Sequence, residues 1–340
     1  MSKKWLALAL KFLVSGFLIW FLLSNIDLGA AKDRLLEVDP AMLAVALLVF
    51  FVQPVIGGFR WEAVLTAIGK PLGLGKSYQL FYIGSFFNQT LPSSVGGDAV
   101  RMYKAYRHGL GLRGAVNGVV LERAVTVVAL VVLVDATLSW FAPRVDDAAM
   151  AVILPGIVLA TLAAAVGLVF LMLLDRLPAA LQRGRLVRGL GKLGVDARRV
   201  FLSARHLPRV LAWGVVTHVN ISFGVFILTM GLDRDVSWLE CLVLVPPVLL
   251  VMTLPISIAG WGVREAAMVA FFGLIGVPAE GAVVLSILFG LAGIVVSLPG
   301  GAVWLATRDR GETMDYLSPV AEAAEPRPQA NTVPGDARDS

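Results

Sequence analysis

Charge is scarce in this chain. Charged residues make up 16% of its 340 positions, against about 25% in a typical soluble domain. Cysteine is nearly absent: Cys241 stands alone, which excludes a disulfide framework and a thiolate metal site. The three histidines, His108, His206 and His218, lie far apart, which argues against a histidine-rich metal or haem centre. No nucleophile elbow, zinc signature or dinucleotide fingerprint is found. The expectation is therefore no cofactor, no metal and no enzymatic activity. Nothing points to a nucleic-acid partner.

What is there is apolar. Hydrophobic residues reach 58%, against roughly 45–50% in soluble domains even with glycine counted. Mean hydropathy is +0.81. A fold in water with this balance could not cover its own core. The composition excludes a cytosolic enzyme and, outside the C-terminal end, a disordered chain. The bilayer is the solvent that fits.

A crossing helix needs about 20 mostly apolar residues. Stretches 5–23, 41–59, 115–141, 150–174, 209–231 and 279–305 meet this. Two more, 77–95 and 238–258, are apolar but end in Pro, Gly and Ser, and each is followed by a short segment, 98–110 and 262–277. Basic residues gather near Lys3 and Lys4, at Arg60, Lys70 and Lys76, at Arg101–Arg113, between Arg176 and Arg209, and at Arg308 and Arg310. The other loops are poor in them. The positive-inside rule then places the N-terminus, the 175–209 loop and the C-terminus in the cytoplasm. Basic groups flank 77–95 on both sides, so a re-entrant hairpin fits that stretch better than a crossing. Segment 238–277 fits either a hairpin from the outer face or two extra crossings. The fold class is thus an all-α polytopic membrane protein, with about six full spans and two broken helical hairpins.

Segment 179–205 places Leu186, Leu190, Leu193, Ala197, Phe201 and Ala204 at helical spacing with basic residues opposite. This reads as a cationic amphipathic helix on the anionic inner leaflet, or as a solvated basic loop serving topology. Residues 311–340 read as a disordered cytoplasmic tail, leaving 1–310 as the membrane domain.

Two stretches align without gaps: Thr90-Leu91-Pro92-Ser93-Ser94-Val95-Gly96-Gly97-Asp98-Ala99-Val100-Arg101 and Thr253-Leu254-Pro255-Ile256-Ser257-Ile258-Ala259-Gly260-Trp261-Gly262-Val263-Arg264. Three spans separate them. An odd number reverses direction, so the copies are expected to be inverted in the membrane. Pro- or Gly-broken segments at matching places of inverted halves point to a transporter site. Pro92 and Pro255 are the expected breaks. The freed backbone there needs a wet cavity rather than lipid.

Charges at membrane depth are costly and mark function. Asp98, Arg101, Glu122, Arg123, Arg264 and Glu265 form the candidate cluster. The arginines would grip a phosphate and the acids would position them or take up protons. The bland alternative is a set of ion pairs that only lock helices. Gly96, Gly97, Gly260 and Gly262 are candidate backbone contacts to the substrate. Asn88 either satisfies freed backbone or touches substrate. Asp135 either lines a polar interior or pairs locally. His218 and Asn220 read as interhelical hydrogen-bonding groups before a role in the site, and Arg60-Trp61 as an interfacial anchor before a headgroup contact. Gly75-Lys76-Ser77 resembles the end of a phosphate loop. The position five before Gly75 is Lys70 rather than glycine, and no strand precedes it, so it is not read as a nucleotide site.

Taken in order, Asn88…Leu91-Pro92…Gly96-Gly97-Asp98…Arg101, then Glu122-Arg123, then Pro255…Gly260…Gly262…Arg264-Glu265 resembles the lysylphosphatidylglycerol synthase transmembrane-domain (flippase-like) family, over about residues 5–305. The resemblance implies an integral protein of the bacterial or archaeal membrane. Better-known members move an aminoacylated phospholipid between leaflets. Others are linked to isoprenoid or polyprenyl lipids, including hopanoids. The full synthases carry a soluble aminoacyltransferase domain after the membrane part. Here only the polar 311–340 follows, so synthase activity is expected to be absent. The expected function is an inner-membrane lipid transporter for a lipid with a polar or anionic headgroup. The alternatives are an intramembrane headgroup-modifying enzyme and a scaffold for lipid synthesis. A second copy of the chain, or lipid-synthesis enzymes, are the expected protein partners.

Overall fold

The computed structural model describes residues 28–91, 96–144, 147–176, 185–233, 235–253 and 260–307, with Leu13 and Trp20. The rest of span 5–23, the breaks Pro92 and Pro255, the first residues of 179–205 and the tail 311–340 lie outside the described residues. Among those described, the order is α1 (Leu28–Leu36), α2 (Pro40–Phe51), α3 (Gln53–Ala67), α4 (Leu74–Thr90), α5 (Gly96–Ala105), α6 (Gly111–Phe141), α7 (Asp147–Met172), α8 (Arg185–Phe201), α9 (Leu207–Gly231), α10 (Trp238–Met252), α11 (Val263–Gly273) and α12 (Ala279–Ala306).

Local sequence sets several ends. The Asp39 carboxylate accepts the Ala41 N–H at 2.8 Å, and Pro40 occupies the first turn of α2, where its missing N–H costs nothing. Pro54 sits in the first turn of α3, so the α2–α3 rod is interrupted at Val52. Ser237 and Glu240 close a reciprocal capping box on α10.

Among the described residues, four helical stretches are long and apolar enough to cross a bilayer: Pro40–Ala67, Asp147–Met172, Leu207–Gly231 and Ala279–Ala306. They contain the expected spans 41–59, 150–174, 209–231 and 279–305 within a residue or two, although the first runs on through Ala67. Helix α6, at 31 residues, is longer than any of them, about 46 Å at 1.5 Å per residue. Helix α7 is peripheral. Leu159 is 69% exposed and Val166 67%, an apolar face of the kind that lipid or a partner chain covers.

The core has two lobes. One gathers Trp61, Leu65, Ile83, Phe87 and Leu121. The other gathers Phe50, Leu228, Leu244, Met268, Phe272 and Leu285. Helices α6, α9 and α12 run from one to the other: Leu121, Val210 and Trp304 belong to the first, Phe141, Leu228 and Leu285 to the second. The lobes therefore stack along these helices.

The two repeat segments lie in different lobes. Helices α4 and α5 form a hairpin in the first, with α3, α6 and α12 around it. Its two backbones touch: a side chain on Gly97 would overlap the Gly84 carbonyl oxygen, so only glycine fits. Tyr82 lies against Gly300 of α12, and Gln89 near the hairpin tip against Gly293. Helices α10 and α11 pack together in the second lobe, Met252 meeting Gly260 near the break.

Helix α8 docks on α3, α6 and α7. Its apolar residues Leu193, Ala197 and Phe201 are buried in the first lobe. Protein, not lipid, covers this part of the stripe. Asp196 on the same face accepts from Asn117 of α6 at 2.7 Å. Arg198 holds Asp175, just beyond α7, through two bonds of 2.6 and 2.5 Å. These bonds hold the Asp175 carboxyl below the ordinary aspartate range. Lys192 and Arg199 remain exposed.

Candidate functional site

The first repeat segment feeds a chain of five charged groups. Arg101 and Asp98 stand one turn apart on α5. Arg101 Nη2 donates to Asp98 Oδ1 at 3.2 Å and to Glu122 Oε2 of α6 at 2.8 Å. Arg60 of α3 reaches Glu122 Oε1 through Nε at 2.8 Å and also through Nη2, and donates to Thr217 Oγ1 of α9 at 2.6 Å. Arg123 Nε donates to Asp98 Oδ2 at 2.8 Å. The order is Arg60–Glu122–Arg101–Asp98–Arg123, drawn from three helices. Three guanidiniums face two carboxylates, so one positive charge is in excess.

Burial separates the members. Arg60, Asp98, Arg101 and Glu122 are all buried, whereas the Arg123 side chain is 51% exposed. Buried charges persist only when paired and hydrogen-bonded. Glu122 meets that condition through two arginines. The Arg101 guanidinium also lies 4.7 Å from the Trp61 ring centroid and 5.0 Å from that of Phe81, where an aromatic face offsets part of the lost hydration. Among the described residues Arg101 Nε and Trp61 Nε1 are buried without a hydrogen-bond partner.

A cavity of about 40 Å³ opens beside this chain, lined by all five charged residues with Phe81, Gly84, Ser85 and Asn88. That volume admits a few waters. Asn88 Oδ1 accepts the Gly97 N–H at 2.9 Å, one of the donors that a new helix leaves free. Gly97 thus serves the backbone approach of α4 and α5. Gly96 packs against Leu91.

The second repeat segment closes on itself. Arg264 Nη2 donates to Glu265 Oε1 at 2.7 Å, and Nε to Ser286 Oγ of α12 at 3.0 Å. Ser286 Oγ donates to the same Glu265 oxygen at 3.0 Å. The other Glu265 oxygen accepts the Gly262 N–H at 2.5 Å, which caps α11. The Arg264 guanidinium stacks 4.4 Å over Trp261. Gly262 has φ +84°, a conformation that favours glycine. Gly260 also has positive φ. Gly290 leaves the space that the Arg264 guanidinium fills. Arg264 and Glu265 do not line the cavity beside Arg101. Among the described residues no hydrogen bond or ion pair joins the two clusters.

The sequence reading missed Arg60. It stood as an interfacial anchor with Trp61, yet Arg60 is 6% exposed and Trp61 fully buried. The available signal was a charged pair, Arg60 and Glu62, inside an apolar run that goes on to Ala67. Glu62 accepts from the Leu72 and Gly73 amides and from Ser77 Oγ, tying α3 to the start of α4. His218 bonds the Thr126 carbonyl at 3.1 Å, and Asn220 bonds the Val49 carbonyl and Gln53, all between helices. Asp135 pairs locally, accepting from Thr161 of α7 at 3.0 Å.

A family model described as lysylphosphatidylglycerol synthase TM region matches residues 8–301. No curated protein matches the chain.

Proposed function

The chain belongs to the lysylphosphatidylglycerol synthase transmembrane-region family, and from that premise we propose that it moves a phospholipid or polyprenyl lipid between leaflets of the bacterial inner membrane, with both termini cytoplasmic. The observation that carries this reading is the five-membered chain around Glu122 and its cavity. A site with one positive charge in excess becomes neutral when a single phosphodiester enters. Arg123 is the entry group, because it is half exposed and engaged through Nε alone among the described residues. The incoming phosphate competes with Asp98 for Arg123, and Asp98 keeps its bond to Arg101. Exchange of one anion for another keeps Arg123 paired throughout, and the buried Asp98 stays bonded to Arg101.

Two further features support transport over headgroup chemistry. Gln89 near the end of α4 lies against Gly293 of α12, and Arg264 and Glu265 of α11 reach Ser286 of the same helix, so the two hairpins lean on one helix from different lobes. Two hairpins leaning on one helix would suit an inverted repeat with a path reached from either face. In addition, an apolar groove of about 940 Å³ lies between α6, α7 and the α10–α11 pair and has room for a hydrocarbon chain. The exposed basic residues of α8 would rest against anionic lipid of the inner leaflet.

The test is leaflet transfer of headgroup-labelled phosphatidylglycerol in liposomes containing the purified chain. Transfer well above protein-free liposomes, with the headgroup unchanged by mass spectrometry, is the expected result. A modified headgroup would favour the enzyme alternative, and transfer equal to protein-free liposomes would overturn the proposal for this lipid.

A further inference from the structure

A second pocket lies away from the charge chain. It holds about 300 Å³ and is built where the α3–α4 connection meets the turn between α5 and α6. Lys70, Lys76 and His108 line it, with Leu72, Gly109 and Leu110. Among the described residues no carboxylate lines it. Glu62 of α3, which reaches the α3–α4 connection, is 8% exposed and is occupied by the Leu72 and Gly73 amides and Ser77 Oγ.

The backbone shapes this pocket from both sides. His108 and Gly109 depart from helical geometry, Gly109 at φ +90°. That departure turns the chain outward between α5 and α6 and brings His108 to the rim. Lys70 follows directly on the end of α3, its stem packed near Gly114 of α6 and its own N–H bonded to the Leu65 carbonyl at 2.8 Å. Lys76 lies in the first turn of α4 and donates to Gln79 at 2.9 Å. The Gly75-Lys76-Ser77 run is thus at a helix start, as in a phosphate loop, but Ser77 is spent on Glu62 and the lysines do the gathering.

We propose that this pocket is an anion site for a phosphate group, held by Lys70, Lys76 and His108 and separate from the cavity beside Glu122. Two ammonium groups and an imidazole around one concave space suit a compact, highly charged oxyanion. A carboxylate would satisfy fewer donors. The phosphate belongs either to the headgroup of a membrane lipid or to a free phosphate in the surrounding water. The pocket sits among the basic loops that the charge bias places at the cytoplasmic face, where both are present. The site does not rest on transport, and its readout is binding.

The experiment uses the full chain in nanodiscs of phosphatidylcholine. One arm titrates inorganic phosphate against chloride at equal ionic strength, following thermal unfolding. The other adds phosphatidylglycerol to the discs and counts retained lipid by native mass spectrometry. The wild type should show saturable binding in at least one arm. Lys70→Gln combined with Lys76→Gln should weaken it by about tenfold or more, the loss expected for two charge-assisted contacts. Lys32→Gln, exposed on α1, should leave it unchanged. Response in the first arm alone identifies a free phosphate, and in the second alone a lipid headgroup. If the double variant fails to fold, His108→Gln carries the test, with a smaller loss in the same direction. Equal binding by wild type and pocket variants, or no saturable binding in either arm, overturns the proposal.

Discussion

The two repeat segments share seven of twelve residues but are wired differently. In the first, Arg101 reaches outward to Glu122 and through it to Arg60, so three helices depend on one carboxylate. In the second, Arg264 turns to its neighbour Glu265 and to Ser286, and the pair is neutral. The motif supplies the arginine, but residues outside it decide what the arginine does. Glu122 waits for Arg101 on α6, and Ser286 for Arg264 on α12. One site is left with a cavity and surplus charge, the other with a helix cap.

The largest expected effect is at the hub of the first cluster. Glu122→Ala strands Arg60 and Arg101 in a buried place, so it should cost about 3–5 kcal/mol, measured by chemical unfolding in nanodiscs. Ser286→Ala should cost much less, about 1 kcal/mol, because Arg264 and Glu265 still hold one another. Equal costs would break the contrast between hub and closed pair.

The glycines sharpen it. In Gly97→Ala the added methyl meets backbone, the Gly84 carbonyl, which cannot step aside. A loss of about 1–3 kcal/mol is expected. In Gly290→Ala the methyl meets the Arg264 guanidinium, held by Glu265, Ser286 and the Trp261 ring, so a loss of similar size is expected in the same unfolding assay, through displacement of a side chain rather than of backbone. Asn88→Ala should cost about 1 kcal/mol or more by leaving the Gly97 N–H without its acceptor.

The smallest effect concerns α8, which serves the first lobe alone. Because the folded Asp175 carboxyl sits below its unfolded value, its contribution to docking is present above the ordinary aspartate range and lost as pH falls through the folded value. Limited proteolysis near α8 should therefore quicken on acidification. Asp175→Asn should show the faster cleavage at neutral pH and little further change below it.

Much of the scaffold was legible in the sequence because apolar length is a local property. Spans 209–231 and 279–305 coincide with α9 and α12 almost residue for residue. Asn88 and the Arg–Glu pairs were legible as candidates because charges in apolar text stand out. The wiring was not. Arg60 and Glu122 are separated by 62 positions, and no spacing rule joins them. The stripe Leu193, Ala197, Phe201 was visible as an apolar face, but the sequence does not say whether lipid or protein covers it. That depends on Asp196 meeting Asn117 and on Arg198 meeting Asp175, contacts made only once α6 and α7 are in place. Similarity of the repeats also hid a difference, since identical arginines suggested identical tasks.

The central claim is that the first segment carries the substrate and the second holds the frame. Arg123→Gln tests it most directly, because the Arg123 side chain is half exposed and Asp98 keeps its bond to Arg101, so its loss should change stability by no more than about 1 kcal/mol. In liposomes, this variant should transfer headgroup-labelled phosphatidylglycerol about tenfold more slowly than wild type, while Ser286→Ala stays within about twofold, a gap of roughly 1 kcal/mol in barrier height. Equal transfer by Arg123→Gln and wild type, with Ser286→Ala the slower variant, would contradict the account.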